Sequence, residues 1–264
     1  MKNLLKLTGA FIVLIFIGCT VDETEETNLV EENDSLESED LTAKTSGGSC
    51  GSSVNFQDLV VETSWISGKT DDRDQFGACG VDGESWMDKY SDGRVMMKCL
   101  SGDGHRTELK EDSGDEAALN QYKKMQFIGK LTNIPENGVT IAQIHNRGSS
   151  VKRPWIRVYV DDDRYIKIKE TETNPTGSSS TYTTYTGLKY TSGAEMNIIV
   201  WTGLSGQKKG KVQVKTGGSS WSKTLWPSSA WSSKSSTYYL KAGVYTEGND
   251  KTATMKYSYF YINH

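Results

Sequence analysis

Short segments in which polar and apolar residues alternate recur along the chain after residue 90 and constrain its fold more than any other feature of the sequence. Neighbouring side chains of an extended strand point to opposite faces, so alternation indicates strands with one buried face. Asn137-Gly138 and the run Asp161-Asp162-Asp163 fall between such segments and indicate turns. The predicted strands include 95–98, 107–111, 123–131, 140–145, 155–160, 165–170, 196–201, 211–214, 237–245 and 254–262.

No long stretch has helical periodicity, although 115–122 could form one short helix. Many short strands at this spacing predict an all-β domain, specifically a β-sandwich of the jelly-roll type with a concave sheet that forms a substrate groove. The Ser/Thr-rich stretches 173–184 and 219–237 contain too many aromatic residues to be linkers. Trp221, Trp226 and Trp231 could stack on sugar rings, but partly buried anchors of loops are the more common reading.

Three of the segments carry polar side chains that could bind a ligand or transfer protons. Side chains at i, i+2 and i+4 of a strand share a face. The residues that would share faces in this way are Arg106, Glu108 and Lys110 on one strand, Gln143 and His145 on a second, and Tyr239, Lys241 and Tyr245 on a third. If the three strands lie in one sheet, their wall of cations, amide, imidazole and phenols could bind a carboxylated sugar and move protons on it.

The N-terminus has the layout of a secretory signal. Lys2 and Lys6 precede an apolar run, 7–18, that is too short for a spanning helix, and Cys19 follows directly. A cysteine at this point predicts a bacterial lipoprotein signal, 1–19, with Cys19 as the lipidated residue. Phe16 departs from the commonest version of that signal, so cleavage without lipidation is the alternative. Either reading predicts an exported protein, at the cell surface or outer membrane or secreted.

Residues 20–48 are predicted to be a disordered tether to a folded domain, 49–264. Ten acidic residues and no basic one lie in 20–41, and such a segment cannot bury enough apolar area to fold. Leaving out these ten acids with Lys2 and Lys6 takes the counts from 30 basic and 34 acidic residues to 28 and 24, a net charge of +4 for the folded part. A polyanionic partner is therefore permitted. Nucleic acid is not indicated, because no nucleic-acid motif is present.

The cysteines that remain are read as structural. In an exported protein one disulfide is expected among Cys50, Cys79 and Cys99, with Cys79 and Cys99 as the first expectation. The chain has only three histidines and no metal-ligand spacing, so no metal site is predicted.

The segments RTELK (106–110), QIH (143–145) and YLKAGVY (239–245) resemble the three signature regions of the alginate lyases of polysaccharide lyase family 7. The patterns of that family are close to R-T-E-L-R, Q-I-H and Y-F-K-A-G-x-Y, in the same order. The resemblance covers about residue 50 to the C-terminus. Two departures stand out: Lys110 replaces the usual second arginine, and Thr246-Glu247 stand where Asn-Gln is common. Lysine keeps the charge but lacks the two-pronged fork that matches a carboxylate.

The resemblance implies a jelly-roll enzyme that cleaves polyuronates by β-elimination without a cofactor. Removal of the proton at C5 places a second negative charge beside a carboxylate, so the site must neutralise that carboxylate. By analogy with the family, Arg106 and Gln143 hold the carboxylate, His145 accepts the C5 proton and Tyr245 protonates the leaving O4. For the opposite C5 configuration, Tyr245 would act as both base and acid. The candidates for contacts to flanking sugars are Glu108, Lys110, Asn146, Tyr239 and Lys241, of which Glu108 is better suited to orienting its cationic neighbours.

Two alternatives remain open at this point. Lys110 favours the same chemistry on another polyuronate, glucuronan or ulvan. A non-catalytic glycan-binding lipoprotein of the same fold would better fit a chain that lacked His145 or Tyr245, and both are present. A glycosidase is disfavoured because Glu108 has no obvious carboxylate partner in the three segments. The expected partner is an anionic polysaccharide, the membrane is reached only through the lipid anchor, and a monomer is expected. Preference for mannuronate or guluronate and the mode of cleavage stay open.

Overall fold

A computed structural model of the protein describes residues 54–56, 59–64, 73–99, 104–147, 153–172, 181–232, 237–246 and 251–263. These residues all belong to one compact unit, Gly47–His264. The predicted signal, 1–19, and the predicted tether, 20–48, lie outside the described residues, as do Cys19 and Cys50, and these assignments stay predictions. In the described part of the chain, no helix is long and apolar enough to span a membrane.

The described chain is built almost entirely of β-strands, arranged in two antiparallel sheets. The strands are β1 (Leu59–Ser64), β2 (Arg73–Gly77), β3 (Met87–Lys89), β4 (Val95–Cys99), β5 (Arg106–Glu111), β6 (Lys123–Thr132), β7 (Val139–Asn146), β8 (Ile156–Val160), β9 (Tyr165–Thr171), β10 (Tyr182–Lys189), β11 (Met196–Thr202), β12 (Gly210–Thr216), β13 (Ser219–Leu225), β14 (Tyr238–Thr246) and β15 (Ala253–Asn263). One α-helical turn, α1 (Ser229–Ser232), and two 3₁₀ turns, Ala78–Gly80 and Leu204–Gly206, complete the described elements.

The sheets pack face to face as a sandwich, which confirms the predicted jelly-roll class. The first has eight strands in the order β10-β9-β8-β7-β14-β5-β1-β2, and the second has seven in the order β13-β12-β11-β6-β15-β4-β3. The core lies between the sheets and follows the alternation of the strands: on β6, Met125, Phe127, Gly129 and Leu131 are buried, whereas Gln126 and Ile128 are partly exposed and Lys130 is exposed. The core is closed by aromatic packing of Phe127 against Tyr257 and Phe260.

All ten strands predicted from alternation are present, but the predicted helix at 115–122 is wrong. Ala117 instead forms an antiparallel bridge with Tyr238, in which the two residues exchange backbone hydrogen bonds of 2.9 and 2.7 Å. A turn closed by Ala118 and Gln121 follows. Pairing with a strand that is distant in the sequence therefore overrides the local preference of this segment.

The expected disulfide between Cys79 and Cys99 is also wrong. Cys79 is disulfide-bonded, but Cys99 is not in a disulfide. The Cys99 thiol is buried at the end of β4, 3.5 Å from the Thr246 hydroxyl. Burial raises its pKa to about 11, so this cysteine is a protected core residue.

The three tryptophans of 221–231 occupy three different environments. Trp231 is fully buried, and Trp221 on β13 packs partly buried against the core. These two are anchors, as expected. Trp226 is different, because 58% of its surface is exposed. It lies directly after β13, on the outer side of the seven-stranded sheet.

Candidate active site

The three polar segments lie on strands that are neighbours in the eight-stranded sheet. The order β7, β14, β5, β1 places β14 between the other two. Tyr245 stands opposite Arg106, and Lys241 stands opposite Lys110 on one side and Gln143 on the other. The topology therefore brings together residues that are far apart in the sequence.

These side chains occupy the face of the sheet that points away from the second sheet. On the same strands, Leu109, Ile144, Leu240 and Val244 belong to the core between the sheets. Because side chains alternate along a strand, the intervening residues lie on the opposite face. The alternation seen in the sequence thus separates a face packed in the core from an outward face that carries the polar side chains.

Glu62 on β1 is the member of this site that sequence reasoning missed. Its carboxylate lies 2.8 Å from Lys110 Nζ, 3.2 Å from Lys241 Nζ and 3.5 Å from Arg106 Nη1. The segment Leu59–Ser64 looks like an apolar strand, and a lone glutamate there carries no motif. The pairing of β1 with β5 places Glu62 opposite Glu108, and this proximity cannot be recognised from the sequence.

Glu108 is a second bridging carboxylate and is only 1% exposed. One oxygen accepts a hydrogen bond from the Gln143 amide at 2.5 Å, and the other lies 2.7 Å from Lys241 Nζ. Arg106 Nη1 is 3.8 Å from the same carboxylate. Glu108 therefore contacts Gln143, Lys241 and Arg106 at once; its orienting role stays a prediction.

The cluster of Arg106, Lys110 and Lys241 with Glu62 and Glu108 has three cations and two carboxylates, which leaves one net positive charge. Burial opposes the charged form of Lys241, but the carboxylates of Glu108 and Glu62 outweigh it and raise the Lys241 pKa. Burial likewise opposes ionisation of Glu62, yet its cationic neighbours hold its pKa far below the ordinary range. The site is a charged, preorganised wall with an excess of one cation.

Lys110 is buried against Glu62, and burial lowers its pKa although that carboxylate opposes the change. The Lys110 ammonium is thus paired with the Glu62 carboxylate on β1 and is not exposed to solvent. Within this cluster, Lys110 neutralises the charge of Glu62.

His145 on β7 is half-buried and held in one tautomer. Its Nδ1 lies 2.8 Å from the carbonyl oxygen of Asn146, so Nδ1 carries the proton and donates it, which leaves the lone pair on Nε2. Burial, together with the positive charge of Lys241, lowers the His145 pKa to about 4. The imidazole is therefore neutral near pH 7 and able to accept a proton at Nε2.

Arg106 and Tyr245 form a cation–π pair across β5 and β14. The Arg106 guanidinium carbon lies 4.5 Å from the centre of the Tyr245 ring. Arg106 Nε is buried without a hydrogen-bond partner among the described residues. A buried guanidinium N–H that lacks an acceptor is well suited to an anionic ligand.

Tyr239 lies beside His145, with ring centres 5.3 Å apart, and burial raises its pKa. Arg147, which the sequence did not single out, also contacts this tyrosine, with its guanidinium carbon 4.4 Å from the Tyr239 ring centre. Arg147 also forms an ion pair with Glu116 and donates to the backbone oxygen of Glu111. This second arginine fixes the aromatic edge of the site.

Asn146 is the one predicted site residue that the structure does not bring to this face. It is paired with Tyr238, whose side chain belongs to the core, so Asn146 lies on the side of β7 opposite His145. The residue is only 3% exposed, and its side-chain amide has no hydrogen-bond partner among the described residues. What Asn146 contributes to the site is its backbone carbonyl, which accepts the His145 hydrogen bond.

Gly243 permits the close contact between β14 and β5. A Cβ atom at this position would lie 2.2 Å from the Thr107 oxygen and 2.5 Å from the Glu108 Cα. On the other edge of β14 the register with β7 shifts between Ala242 and Tyr245. A bulge of this kind re-aims side chains locally, and here it lies between Lys241 and Tyr245.

Positive charge continues across the sheet beyond Gln143. Arg157 on β8 is paired with Gln143, and Lys169 on β9 is paired with Arg157. Lys169 Nζ lies 5.6 Å from the Tyr159 ring and 5.0 Å from the Tyr182 ring. The row therefore runs perpendicular to the strands, as a polymer crossing the sheet would.

The described residues contain no group of three or more His, Cys, Asp and Glu side chains that could hold a metal ion. The acidic and basic groups of the wall are instead paired with one another.

Comparison with known proteins gives a consistent result. The family model described as "Alginate lyase" matches residues 57–264. A search of curated protein sequences finds no match.

Three solved structures share the fold. Alginate lyase A1-II', a member of polysaccharide lyase family 7, has 17% identity and a TM-score of 0.60 over 80% of this chain and 96% of its own. Alginate lyase AlyC3 in complex with dimannuronate has 14% identity and a TM-score of 0.60 over 79% and 90%. The alginate lyase from Corynebacterium sp. has 17% identity and a TM-score of 0.57 over 80% and 96%.

Proposed function

Because the chain belongs to the alginate lyase family and is a polysaccharide lyase, we propose that it cleaves alginate by β-elimination and releases 4,5-unsaturated oligosaccharides. The observation that carries this proposal is the convergence of Arg106, Gln143, His145 and Tyr245 on one face of three adjacent strands. These four groups match the four tasks of the reaction: a charged donor, a neutral donor, a base and an acid.

The carboxylate of the reacting sugar is neutralised by Arg106 and Gln143. Arg106 has a buried N–H without an acceptor, and its cluster carries one excess positive charge. Gln143 gives one amide hydrogen to Glu108 and keeps a second for the substrate. Neutralisation makes the C5 proton more acidic, because the charge that develops on its removal is met by fixed donors.

Proton transfer then uses the two sides of the ring. His145 Nε2 takes the C5 proton, the electron pair forms the C4–C5 double bond, and the bond from C4 to the glycosidic oxygen breaks. Tyr245 donates its phenolic proton to that oxygen, which leaves as a hydroxyl. For the opposite C5 configuration Tyr245 performs both transfers, and the guanidinium of Arg106 lies against its ring.

Lys241 and Tyr239 contact flanking sugars in this proposal, and the row through Arg157 and Lys169 continues the track for a polyanion. Lys110 is engaged by Glu62 and does not reproduce the fork of an arginine. That feature favours a second candidate, the same elimination on glucuronan or ulvan.

The test is the ultraviolet absorbance of the new C4–C5 double bond. The full-length protein is incubated with alginate, its mannuronate and guluronate blocks, glucuronan and ulvan, in parallel with His145→Ala and Tyr245→Phe. A rise on alginate that both substitutions reduce at least about a hundredfold is expected, since each acid–base group contributes on that order.

Asn146→Ala serves as a matched control, because this neighbour of His145 lies on the opposite side of the strand. It should retain most of the activity. A rise confined to glucuronan or ulvan would keep the mechanism and replace the substrate. A rise that survives both His145→Ala and Tyr245→Phe would refute the assigned roles.

A further inference from the structure

The outer face of the seven-stranded sheet carries a second arrangement of aromatic and cationic side chains. Trp201 on β11 is paired with Lys124 on β6 and with Lys211 on β12. Lys209 and Trp226 extend the group beyond the ends of β12 and β13. We call Lys124, Trp201, Lys209, Lys211 and Trp226 the lysine–tryptophan patch.

The core positions of these strands show that the patch faces outward. Val200, Val212 and Leu225 are buried in the core, so their neighbours Trp201, Lys211 and Trp226 lie on the other face. The catalytic cluster lies on the outward face of the other sheet. The two surfaces are therefore on opposite sides of the sandwich, and the patch is not an extension of the groove.

Exposed aromatic surface is concentrated at this end of the sheet. Trp226 and Tyr122 are the two large hydrophobic side chains with high exposure in the described chain, at 58% and 49%. Tyr122 directly precedes β6. Nearby, the backbone N–H of Gly203 donates a hydrogen bond of 3.0 Å to the carbonyl oxygen of Lys209. A Cβ atom on Gly203 would lie 2.0 Å from the Gln121 carbonyl oxygen, which fixes this close approach.

Two of the three lysines of the patch lie close to its indole rings. Lys211 Nζ is 5.6 Å from the Trp201 ring centre, and Lys209 Nζ is 5.5 Å from the Trp226 ring centre. A sugar stacked on either indole would have its substituents beside an ammonium group. Indole faces suit the C–H surface of a sugar ring, and ammonium groups suit its carboxylate.

Three rows of outward-facing residues, which begin at the patch, carry no carboxylate. Three successive rows cross β15, β6, β11, β12 and β13, and the described residues in these rows include no Asp or Glu. The rows are Asn263, Lys124, Trp201, Lys211, Thr224; Tyr261, Gln126, Ile199, Gln213, Ser222; and Tyr259, Ile128, Asn197, Lys215, Ser220. Five strands at a spacing of about 4.8 Å give a row long enough for several consecutive sugars.

We propose that the lysine–tryptophan patch is a second, non-catalytic binding site for the anionic polysaccharide that the groove cleaves. The identity of that polymer rests on the proposed function, but the patch itself rests on its own geometry and charge. A second contact on one polymer raises the effective concentration of chain segments at the groove. The benefit applies to long polymers and not to oligosaccharides too short to reach both surfaces.

The test separates binding from cleavage. Retardation in native gels that contain alginate, glucuronan, ulvan or neutral dextran is measured on a His145→Ala/Tyr245→Phe background. The patch variant is Lys209→Gln/Lys211→Gln/Trp226→Ala, and the charge-matched control is Lys130→Gln/Lys215→Gln, two exposed lysines on the same sheet. We expect the patch variant to bind the polyuronate about tenfold more weakly and the control to change less than about twofold.

A second arm uses the active enzyme. With the catalytic residues intact, the patch substitutions should raise KM for the long polymer several-fold and leave kcat/KM for a tetrasaccharide unchanged. Equal losses in the patch variant and the charge-matched control would overturn the proposal, because they would indicate general attraction to positive charge. Undiminished retardation of the patch variant, or no retardation of the background protein by any polyuronate, would overturn it too.

Failure of this proposal is distinguishable from failure of the proposed function. Cleavage of alginate without any effect of the patch refutes the second site alone. Patch-dependent retardation without cleavage of any uronan refutes the proposed reaction alone.

Discussion

At the scale of single residues, the base in the proposed reaction is His145, an imidazole whose surroundings disfavour its charged form. Burial and Lys241 lower the His145 pKa to about 4, and the Asn146 carbonyl fixes its tautomer. In the proposed mechanism the neutral form is the active form, so activity should be present above the pKa and be lost as the pH falls through it.

The first prediction is therefore an unusually low acid limb in the pH profile. An ordinary histidine with a pKa of about 6.5 would be only about 3% neutral at pH 5, whereas a pKa of about 4 leaves it about 90% neutral. We expect kcat/KM, which reports the free enzyme, to be nearly undiminished at pH 5. Steady-state kinetics between pH 4 and 8 would check this. An acid limb near 6.5 would contradict the proposed environment of His145.

The second prediction concerns Glu62, which holds Arg106, Lys110 and Lys241 together. Its folded-state pKa lies below its ordinary value of 4.5, so its ionisation stabilises the fold above that pH, and this contribution is lost as the pH falls. Glu62→Gln leaves three crowded cations with one carboxylate. We expect the free energy of unfolding to fall by about 3 kcal/mol and kcat/KM to fall at least about tenfold.

Glu111→Gln is the matched control for Glu62. Glu111 lies on the core side of β5, is fully buried and pairs with Lys123 at 2.7 Å. Its loss should reduce stability by a similar amount but leave kcat/KM at permissive temperature within about twofold. Urea denaturation and initial rates give both quantities. Equal kinetic losses in the two variants would show that Glu62 acts on the fold only.

At the scale of elements, the candidate active site depends on how closely β14 approaches β5. Gly243 faces Glu108 in the register, and any side chain would collide with the backbone of β5. We expect Gly243→Ala to cost about 1–3 kcal/mol of stability through overpacking and to lower kcat/KM sharply, because it displaces Lys241 and Tyr245 relative to Arg106. Gly77→Ala, where a Cβ atom meets nothing within 4 Å, is the control. Wild-type kinetics in Gly243→Ala would contradict this account.

Elements also show what the sequence can and cannot predict. Strands such as β6, with one apolar face, were predictable because their alternation is strong. β10 and β13 were not predicted as strands, because they lie at sheet edges and their exposed Ser, Thr and Tyr residues weaken the alternation of polar and apolar residues. Within the site, the faces of β5, β7 and β14 followed from period two alone. Glu62 and Arg147 did not, because their importance arises from pairing between distant strands and from stacking.

At the scale of the whole molecule, the formal charge of the chain is misleading about its substrate. The chain has a net charge of −4, but the acidic segment 20–41 accounts for this sign, and the remainder is cationic. The charged cluster of the candidate active site adds a local excess of one positive charge, and the row through Arg157 and Lys169 lies beside it. The local field that a polyanion meets is therefore attractive.

The direction in which KM changes with added salt distinguishes local attraction from overall repulsion. Screening lengths fall from about 10 Å at 0.1 M salt to about 3 Å at 1 M. If the attractive groove governs binding, KM for alginate rises several-fold over this range, while kcat changes little because the reacting groups are in direct contact. If the net charge of −4 governed the encounter, added salt would relieve repulsion and KM would fall. Initial rates on polymeric alginate at fixed pH, with a short oligosaccharide as the reference substrate, distinguish the two.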